Sequence, residues 1–197
     1  TQIKDSSWYK DNHITLTLDT KVTSINTETQ ELTLSTDETR SYDRLILATG
    51  ARSRQIPIHG DDKQGVFDLR GQHDFEAIRS YATQDEVQDV TIVGGGILAL
   101  EAAQSLTTLG KQVTLIECAP RLLYKQLDAD AAEILTHHLK TQGLTIYTQE
   151  VVDEIYGTGE DLNTVCGLRL AHSGTKLKTQ MVLRMTGIQL NTELSEN

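Results

Sequence analysis

The first third of the chain alternates apolar and polar residues in short runs, a pattern typical of strands with one buried face. The alternation is clearest at Ile14–Leu18 and Glu31–Ser35, and Lys21–Asn26 continues it between them. Polar residues separate these runs, so we predict an antiparallel meander. Tyr42–Gly50 differs because it ends in an unbroken apolar run before glycine. Such a run indicates a strand buried on both faces.

The middle of the chain changes to an alternation of strands and helices. Val90–Val93 is an apolar run that ends at a glycine triplet, and a helical pattern follows as far as Leu109. A second run, Val113–Glu117, is followed by a helix that begins at Asp128 and by the run Thr145–Tyr147. Because strands joined by right-handed helical crossovers lie side by side, we predict one parallel sheet containing these three strands.

Extended patterns return after the third of these strands. Glu150–Tyr156, Val165–Ala171 and Lys176–Leu183 predict a second antiparallel meander. Met181–Gly187 then ends in an apolar run, Thr and Gly, as Tyr42–Gly50 does. This order of meander, buried strand and Thr-Gly occurs twice, which we interpret as two related domains, the first cut short. The predicted fold is α/β: a Rossmann-like domain with an antiparallel three-strand meander, plus part of a related domain.

The glycine triplet carries the clearest chemical signal. Gly94 allows a sharp turn, Gly96 has no side chain to block a pyrophosphate, and Ala99 lets helix and strand pack closely. The helix N-terminus offers unpaired N–H groups and a positive dipole end to phosphates. Glu117, 21 residues after Gly96, is placed to accept hydrogen bonds from a ribose diol. We therefore predict a dinucleotide site; the other interpretation is a purely structural glycine turn.

Glu117 also bears on the choice of coenzyme. A carboxylate repels a 2′-phosphate and binds a 2′,3′-diol, so we predict NAD(H) in preference to NADP(H). Arg121, four residues further on, could soften that preference.

Charge and composition argue against several classes of partner. The formal net charge is −10 and no Lys/Arg cluster forms a basic patch, so we expect no nucleic-acid partner. No apolar run reaches the length of a membrane span and the start shows no signal peptide, so we expect no membrane partner.

Cys118 and Cys166 form no C-x-x-C motif, which favours a reduced, cytoplasmic protein, and Cys118 is interpreted as a packing residue. The chain starts at Thr1 without Met, so we expect a fragment.

The sequence contains no motif for a metal site, a hydrolase or a phosphotransferase. His137 and His138 are adjacent on a predicted helix and so point about 100° apart, which leads us to expect no metal site. Motifs of the G-x-S-x-G, H-E-x-x-H and Walker-lysine types are absent, which argues against hydrolases and phosphotransferases.

Several motifs together resemble the pyridine nucleotide-disulfide oxidoreductase superfamily of flavoproteins. They are Tyr42–Ala51, the fingerprint Gly94–Glu101, Arg121-Leu-Leu near Asp128, and Thr186–Leu194. The opening Trp8-Tyr9 and the segment Arg70–Arg79 look most like the flavin-binding part of NAD(P)H-dependent nitrite reductase large subunits. Rubredoxin-type reductases and NADH oxidases are near alternatives.

The resemblance implies that FAD binds the first domain and NAD(P)H the second, and that hydride passes from NADH to flavin. It implies a partial FAD-binding domain at 1–60 and a linker with a returning helix at 61–88. The NAD(H)-binding domain then spans 89–188, and 189–197 begins the return to the FAD domain.

The resemblance also assigns residues to each cofactor. It places Val22 at the FAD adenine through its backbone, and Thr49, Gly50 and Arg52 near the FAD phosphates and ribose. The Arg52 guanidinium follows a strand-ending glycine, and its chemistry also suits a phosphate. The alternative interpretation is an arginine in a solvated loop. The NAD-binding positions are Gly94, Gly95, Gly96, Ile97, Leu98, Ala99, Glu117 and Gly187, the last close to the nicotinamide.

Two residues of the first helix bear on catalysis by the same resemblance. Glu101 lies where the family often places an acid near nicotinamide and flavin, which makes it the candidate catalytic residue; the alternative is an ordinary exposed glutamate. Ile97 lies where disulfide reductases often carry a gating tyrosine, and an aliphatic residue there fits oxidase or nitrite-reductase relatives.

Two departures from the family pattern leave two functions open. The upstream FAD fingerprint and the later Gly-Asp segment are missing, so we expect FAD in the full-length protein but doubtful binding, and no activity, in this fragment. The first function is the NADH-binding part of an FAD-dependent oxidoreductase of nitrite reductase or ferredoxin/rubredoxin reductase type. In this interpretation the protein passes electrons to an acceptor protein or domain, and an oligomer is compatible with the sequence. The alternative is a non-catalytic NAD(H)-binding module without flavin.

Overall fold

The chain folds into two compact units, seen in a computed structural model that describes residues 4–157 and 162–196. The first unit comprises Thr1–Arg52 with Gln189–Asn197, and the second comprises Ser53–Ile188.

The first unit contains a short helix and an antiparallel sheet. These elements are α1 (Ser6–Asp11), β1 (Val22–Asn26), β2 (Glu31–Leu34) and β3 (Thr39–Ser41), and the sheet order is β1-β2-β3. The β2–β3 turn closes where Leu34 N–H donates to the Glu38 carbonyl at 2.8 Å. This meander therefore uses Thr39–Ser41 as its third strand, and the prediction of a strand at Ile14–Leu18 is wrong.

A second predicted strand of this unit is also absent. The apolar part of Tyr42–Gly50 forms no strand, and Ile46 is 89% exposed. A β-strand forms only when its backbone is hydrogen-bonded to a neighbouring strand. Within residues 4–157 and 162–196, no strand pairs with this segment or with Ile14–Leu18. The hydrophobic pattern is present in both segments, but the pairing that would bury it is not.

The second unit is built on a parallel sheet. Its elements, after β4 (Ala51–Ser53) at the boundary, are β5 (Val66–Asp68), α2 (Gln72–Ala82), β6 (Asp89–Val93), α3 (Ile97–Thr108), β7 (Gln112–Glu117), α4 (Ala129–Thr141), β8 (Thr145–Thr148), β9 (Val152–Tyr156), β10 (Gly167–Leu170), β11 (Lys176–Lys178) and β12 (Met181–Arg184). The five-stranded parallel sheet has the order β5-β12-β6-β7-β8, and β9, β10 and β11 form a separate antiparallel sheet. The final strand, β13 (Ile188–Leu190), pairs with β4.

Alternate residues of the parallel strands face two hydrophobic clusters. Leu115 and Leu183 pack with the helices, whereas their neighbours Ile116 and Val182 pack with residues of β9 and β10. A strand covered on both faces is buried at every position, which explains the unbroken apolar runs. The helices and the antiparallel sheet thus cover the two faces of the parallel sheet.

One predicted segment divides into two strands. Lys176–Leu183 reads as a single extended run, but β11 is an edge strand of the antiparallel sheet, and β12 lies between β5 and β6 in the parallel sheet. The division falls at the buried Thr179, whose hydroxyl donates to the Asp89 carbonyl at 3.0 Å. This hydrogen bond ties the crossing point to the start of β6.

No helix within the described residues is long and apolar enough to cross a lipid bilayer.

A buried carboxylate makes stability depend on pH. Glu150 is 9% exposed, and hydrogen bonds from Ser173, with the His172 N–H, hold its pKa below the ordinary 4.5. A lowered folded pKa stabilises the native state above the unfolded value, and that stability is lost as pH falls through the folded pKa. We expect Glu150→Gln to destabilise the protein at pH 7 and less so at pH 3. Urea unfolding at both pH values measures this, and an equal difference at both would contradict it.

Candidate functional site

The glycine triplet forms a tight turn at the carboxyl end of β6. Gly94 has a φ of +130°, and its N–H donates to the Ile116 carbonyl at 2.7 Å. A Cβ at Gly94 would lie 3.0 Å from the carbonyl carbon of Met185 and closer still to its oxygen. Glycine is therefore required here by backbone conformation and by the close approach of another strand end.

The next two glycines differ in their surroundings. Gly95 is buried, and a Cβ there would lie 2.8 Å from both the Glu117 carboxylate and the Leu122 side chain. Gly96 is exposed, and a Cβ there would meet no described atom within 4 Å. Internal packing therefore accounts for glycine at 95 but not at 96, where the open space is what a closely approaching ligand requires.

The N-terminus of α3 differs from that of the other helices. The N-termini of α1, α2 and α4 each have a carboxylate that accepts from backbone N–H groups: Asp5, Asp74 and Asp128 respectively. At α3 the N-cap is Gly96, and no side chain of the described residues caps it or places an acid in its first turn. The positive end of this helix is thus open to an anion from outside the chain.

Glu117 lies beside the turn and is held firmly. Its Oε2 accepts from the Gly95 N–H at 2.5 Å, and its Oε1 accepts from the Ala119 N–H at 2.7 Å and the Cys118 thiol at 3.3 Å. A carboxylate has about four acceptor positions. The described donors use three of them, which leaves Oε2 able to accept one further hydrogen bond beside the open turn.

Cys118 is not the packing residue that we predicted, because its side chain is exposed. Partial burial and the hydrogen bond to Glu117 raise the pKa of the Cys118 thiol. The thiol therefore stays protonated at neutral pH and acts as a donor to the carboxylate.

The remaining NAD positions divide into exposed and packed residues. Ile97 and Leu98 are exposed on the first turn of α3, and Ala99 is buried between helix and sheet at 1% exposure. Glu101 is exposed one turn further along α3. Gly187 is exposed after β12, and its carbonyl accepts from the Arg54 N–H at 3.0 Å. The open turn, Glu117 and Gly187 all lie on segments that leave the carboxyl edge of the sheet.

Sequence reasoning missed an ion-pair cluster at this edge. Arg184 interrupts the apolar run of β12, and its guanidinium pairs with Asp61 and Asp68, each at 2.7 Å. The signal was present as one charged residue between Leu183 and Met185, but its two partners are more than a hundred residues away.

The first unit has its own cavity, which brings together three of the four predicted FAD positions. Its volume is about 830 Å³, and Val22, Thr49 and Arg52 are among its lining residues. Gly50 lines a smaller recess of about 260 Å³, also lined by Thr49. The walls combine the apolar segment 45–48 with the cations Lys21 and Arg52 and the carboxylate of Glu193. The apolar segment and the two cations suit a ligand with apolar and anionic parts.

Arg52 already has partners inside this unit. Its Nη1 donates to Asn191 Oδ1 at 2.7 Å and pairs with Glu193 Oε1 at 2.6 Å. A backbone hydrogen bond at Glu193, followed by the Arg52 contact, lowers the pKa of the Glu193 carboxyl. A phosphate at Arg52 would share the guanidinium with this carboxylate or displace it.

Comparison with known proteins decides the family. A family model described as pyridine nucleotide-disulphide oxidoreductase matches residues 4–197. The chain belongs to this family. The resemblance inferred from its motifs is thereby confirmed, and so is the predicted α/β fold with its related partial domain.

Individual members of the family show the likeness in sequence and structure. The chain is 36% identical to a nitrite reductase [NAD(P)H] of Bacillus subtilis strain 168 over 98% of its own length, which is 23% of the relative. It is 30% identical to a rubredoxin-NAD(+) reductase of Pseudomonas putida, covering 98% of this chain and 49% of that protein. The reductase in a covalent putidaredoxin reductase–putidaredoxin complex superimposes with a TM-score of 0.89 at 29% identity, covering 98% of this chain and 46% of that one.

The chain thus spans between about a quarter and a half of the length of these relatives. Their activities belong to longer proteins, so activity, substrate and partner are proposals for this chain.

Proposed function

We propose that this chain is the NADH-binding part, and a portion of the FAD-binding part, of a flavin-dependent oxidoreductase. The observation that carries the proposal is the N-terminus of α3, where Gly96 opens onto free space and no described side chain supplies a capping carboxylate. A pyrophosphate would provide the missing negative charge.

Five residues of the second unit have proposed roles toward NADH. The N–H groups of the first turn of α3, at Ile97 and Leu98, bind the pyrophosphate. Glu117 Oε2 accepts from a ribose hydroxyl while its bond to Gly95 N–H fixes its direction. Gly187, by family resemblance, lies close to the nicotinamide. Glu101 is proposed as the acid beside the reacting ring.

The cavity of the first unit is the proposed FAD site. Val22, Thr49 and Arg52 line it, Gly50 lies beside it, and the Arg52 guanidinium is suited to a phosphate. FAD, when bound, would supply the hydride acceptor, and hydride transfer demands alignment from the protein more than proton transfer. The chain's part in the reaction is therefore to bind and orient.

The electrons are proposed to pass to an acceptor protein or domain. The named relatives include reductases of nitrite and of rubredoxin, and one solved relative is joined to putidaredoxin. We propose an acceptor of this kind, with the nitrite reductase type favoured by the 36% identity.

Calorimetric titration of the 197-residue chain with NADH and, separately, with FAD tests the proposal. We expect saturable NADH binding at one site. Binding of NADH with no binding of FAD, here and in longer forms of the protein, would favour a non-catalytic NAD(H)-binding module instead. No binding of NADH would overturn both functions.

Glu117 provides a prediction about coenzyme choice. Glu117→Gln keeps an acceptor for the Gly95 N–H but removes the charge that repels a 2′-phosphate. We expect the ratio of the NADPH Kd to the NADH Kd to fall by about 10-fold, equivalent to about 1.4 kcal/mol. Titration of both proteins with both coenzymes measures this ratio. A wild-type protein that binds NADPH more tightly than NADH would contradict the assignment.

A further inference from the structure

A nearly buried arginine joins two other chain segments to the carboxyl end of β12. The Arg184 side chain is 11% exposed. Its Nε and Nη2 donate to the two carboxylate oxygens of Asp68 at 3.1 and 2.7 Å, and its Nη1 donates to Asp61 at 2.7 Å. Asp68 ends the neighbouring strand β5, in register with Arg184, and Asp61 lies in the segment that precedes β5. We call these three residues the arginine clamp.

The clamp is poorly explained as a device for stability alone. The guanidinium is nearly buried, whereas Asp61 and Asp68 keep 34% and 23% of their side-chain exposure, so the desolvation cost falls mainly on Arg184. Ion pairs whose partners stay partly exposed to solvent contribute little net stability. The three preceding residues, Met181–Leu183, are apolar and fully packed, and an apolar residue at 184 would continue the same run. The two parallel hydrogen bonds from the guanidinium to the Asp68 carboxylate form a fork, which fixes the orientation of Arg184 relative to Asp68.

The residues directly after Arg184 approach the glycine turn. Met185 N–H donates to the Val93 carbonyl at 2.8 Å, and the Met185 carbonyl is the group that leaves no room for a side chain at Gly94. A displacement of the end of β12 would therefore move one wall of the turn.

The same chain end is also held by Arg54, which lies seven residues before Asp61. The Thr186 hydroxyl donates to the Arg54 carbonyl at 3.1 Å, and the Arg54 N–H donates to the Gly187 carbonyl at 3.0 Å. The clamp and this pair of hydrogen bonds thus fix the path of residues 184–187 at two points. Gly187 is the position assigned to the nicotinamide side of the site.

We propose that Arg184 is a positioning residue for the nicotinamide half of bound NADH. It acts through Asp61 and Asp68, which set where residues 185–187 lie, and it does not touch the coenzyme. The proposal rests on the proposed function. It predicts an asymmetry: disturbing the clamp affects the nicotinamide end and spares the adenosine end, which depends on Gly96 and Glu117.

Calorimetric titration with NADH and with ADP-ribose, which lacks the nicotinamide, tests this asymmetry. Arg184→Lys keeps the charge and loses the fork. We expect its NADH Kd to rise about 10-fold or more while its ADP-ribose Kd stays unchanged. Arg169→Lys is the control, because Arg169 on β10 also pairs with two carboxylates, Asp153 and Glu154 of β9, at 3.0 and 3.3 Å. We expect this variant to alter neither Kd.

Every outcome of this experiment decides something. Equal weakening of both ligands by Arg184→Lys, or no change in either, overturns the positioning role while leaving the proposed function intact. A wild-type protein that binds neither ligand overturns both proposals. Where circular dichroism shows that Arg184→Lys does not fold, Asp61→Asn, which keeps the fork to Asp68, is judged by the same criterion.

Discussion

Adding a single methyl group at Gly96 is expected to abolish most NADH binding without unfolding the protein. A Cβ at this position meets no described atom within 4 Å, and the backbone φ of −84° suits alanine. The methyl group would occupy the space proposed for the pyrophosphate, at a cost typical of overpacking, about 1–3 kcal/mol. We expect the NADH Kd of Gly96→Ala to rise about 10- to 100-fold, with the midpoint of thermal unfolding unchanged.

The control for this variant is Gly71→Ala. Gly71 is also an N-cap glycine, at α2, and a Cβ there would lie 4.0 Å from a carboxylate oxygen of Asp74. Because α2 already has an acid, Asp74, in its first turn, we expect no effect on NADH binding. Equal NADH affinity in Gly96→Ala and wild type would show that the coenzyme does not approach this backbone.

A methyl group two residues earlier is expected to damage the fold itself. Gly94→Ala places a Cβ on a residue with a φ of +130° and against the Met185 carbonyl. A left-handed backbone costs an alanine about 1–2 kcal/mol, and the collision adds about 1–3 kcal/mol. Urea unfolding should therefore show a loss of about 2–5 kcal/mol in the free energy of unfolding.

Gly174→Ala separates the two contributions. Gly174 has a φ of +69°, but a Cβ there meets nothing within 4 Å. We expect this variant to lose only the conformational part, about 1–2 kcal/mol. Equal losses for the two variants would mean that the contact between the glycine turn and the end of β12 does not constrain the fold.

The second unit could be predicted from sequence because its signals are local. Strand β6, the glycine triplet, α3 and β7 follow one another within Asp89–Glu117, and each has its own pattern of apolar residues or turn chemistry. The first unit could not be predicted as well. Ile14–Leu18 and the apolar part of Tyr42–Gly50 have strand patterns, but whether a strand forms depends on a partner that the pattern does not specify.

In the site, too, features set by neighbouring residues were predicted, whereas contacts between residues far apart in the sequence were not. The motif identified Gly96 and Glu117 as candidates, but it did not reveal that Glu117 Oε2 accepts from Gly95 N–H. The arginine clamp was unpredictable, because Arg184 and Asp61 are separated by 123 residues and meet only when β12 joins β5. Motifs thus name candidate ligand-binding residues, whereas the contacts that hold those residues in place appear only in the structure.

The central claim is that NADH binds at the N-terminus of α3, and NMR titration of the isotope-labelled chain with NADH tests it most directly. The account predicts saturable shifts of the amide signals of Gly96, Ile97 and Leu98, with one shared Kd. Saturable shifts confined to other residues, such as those at the N-terminus of α2, with these three amides unmoved, would contradict it.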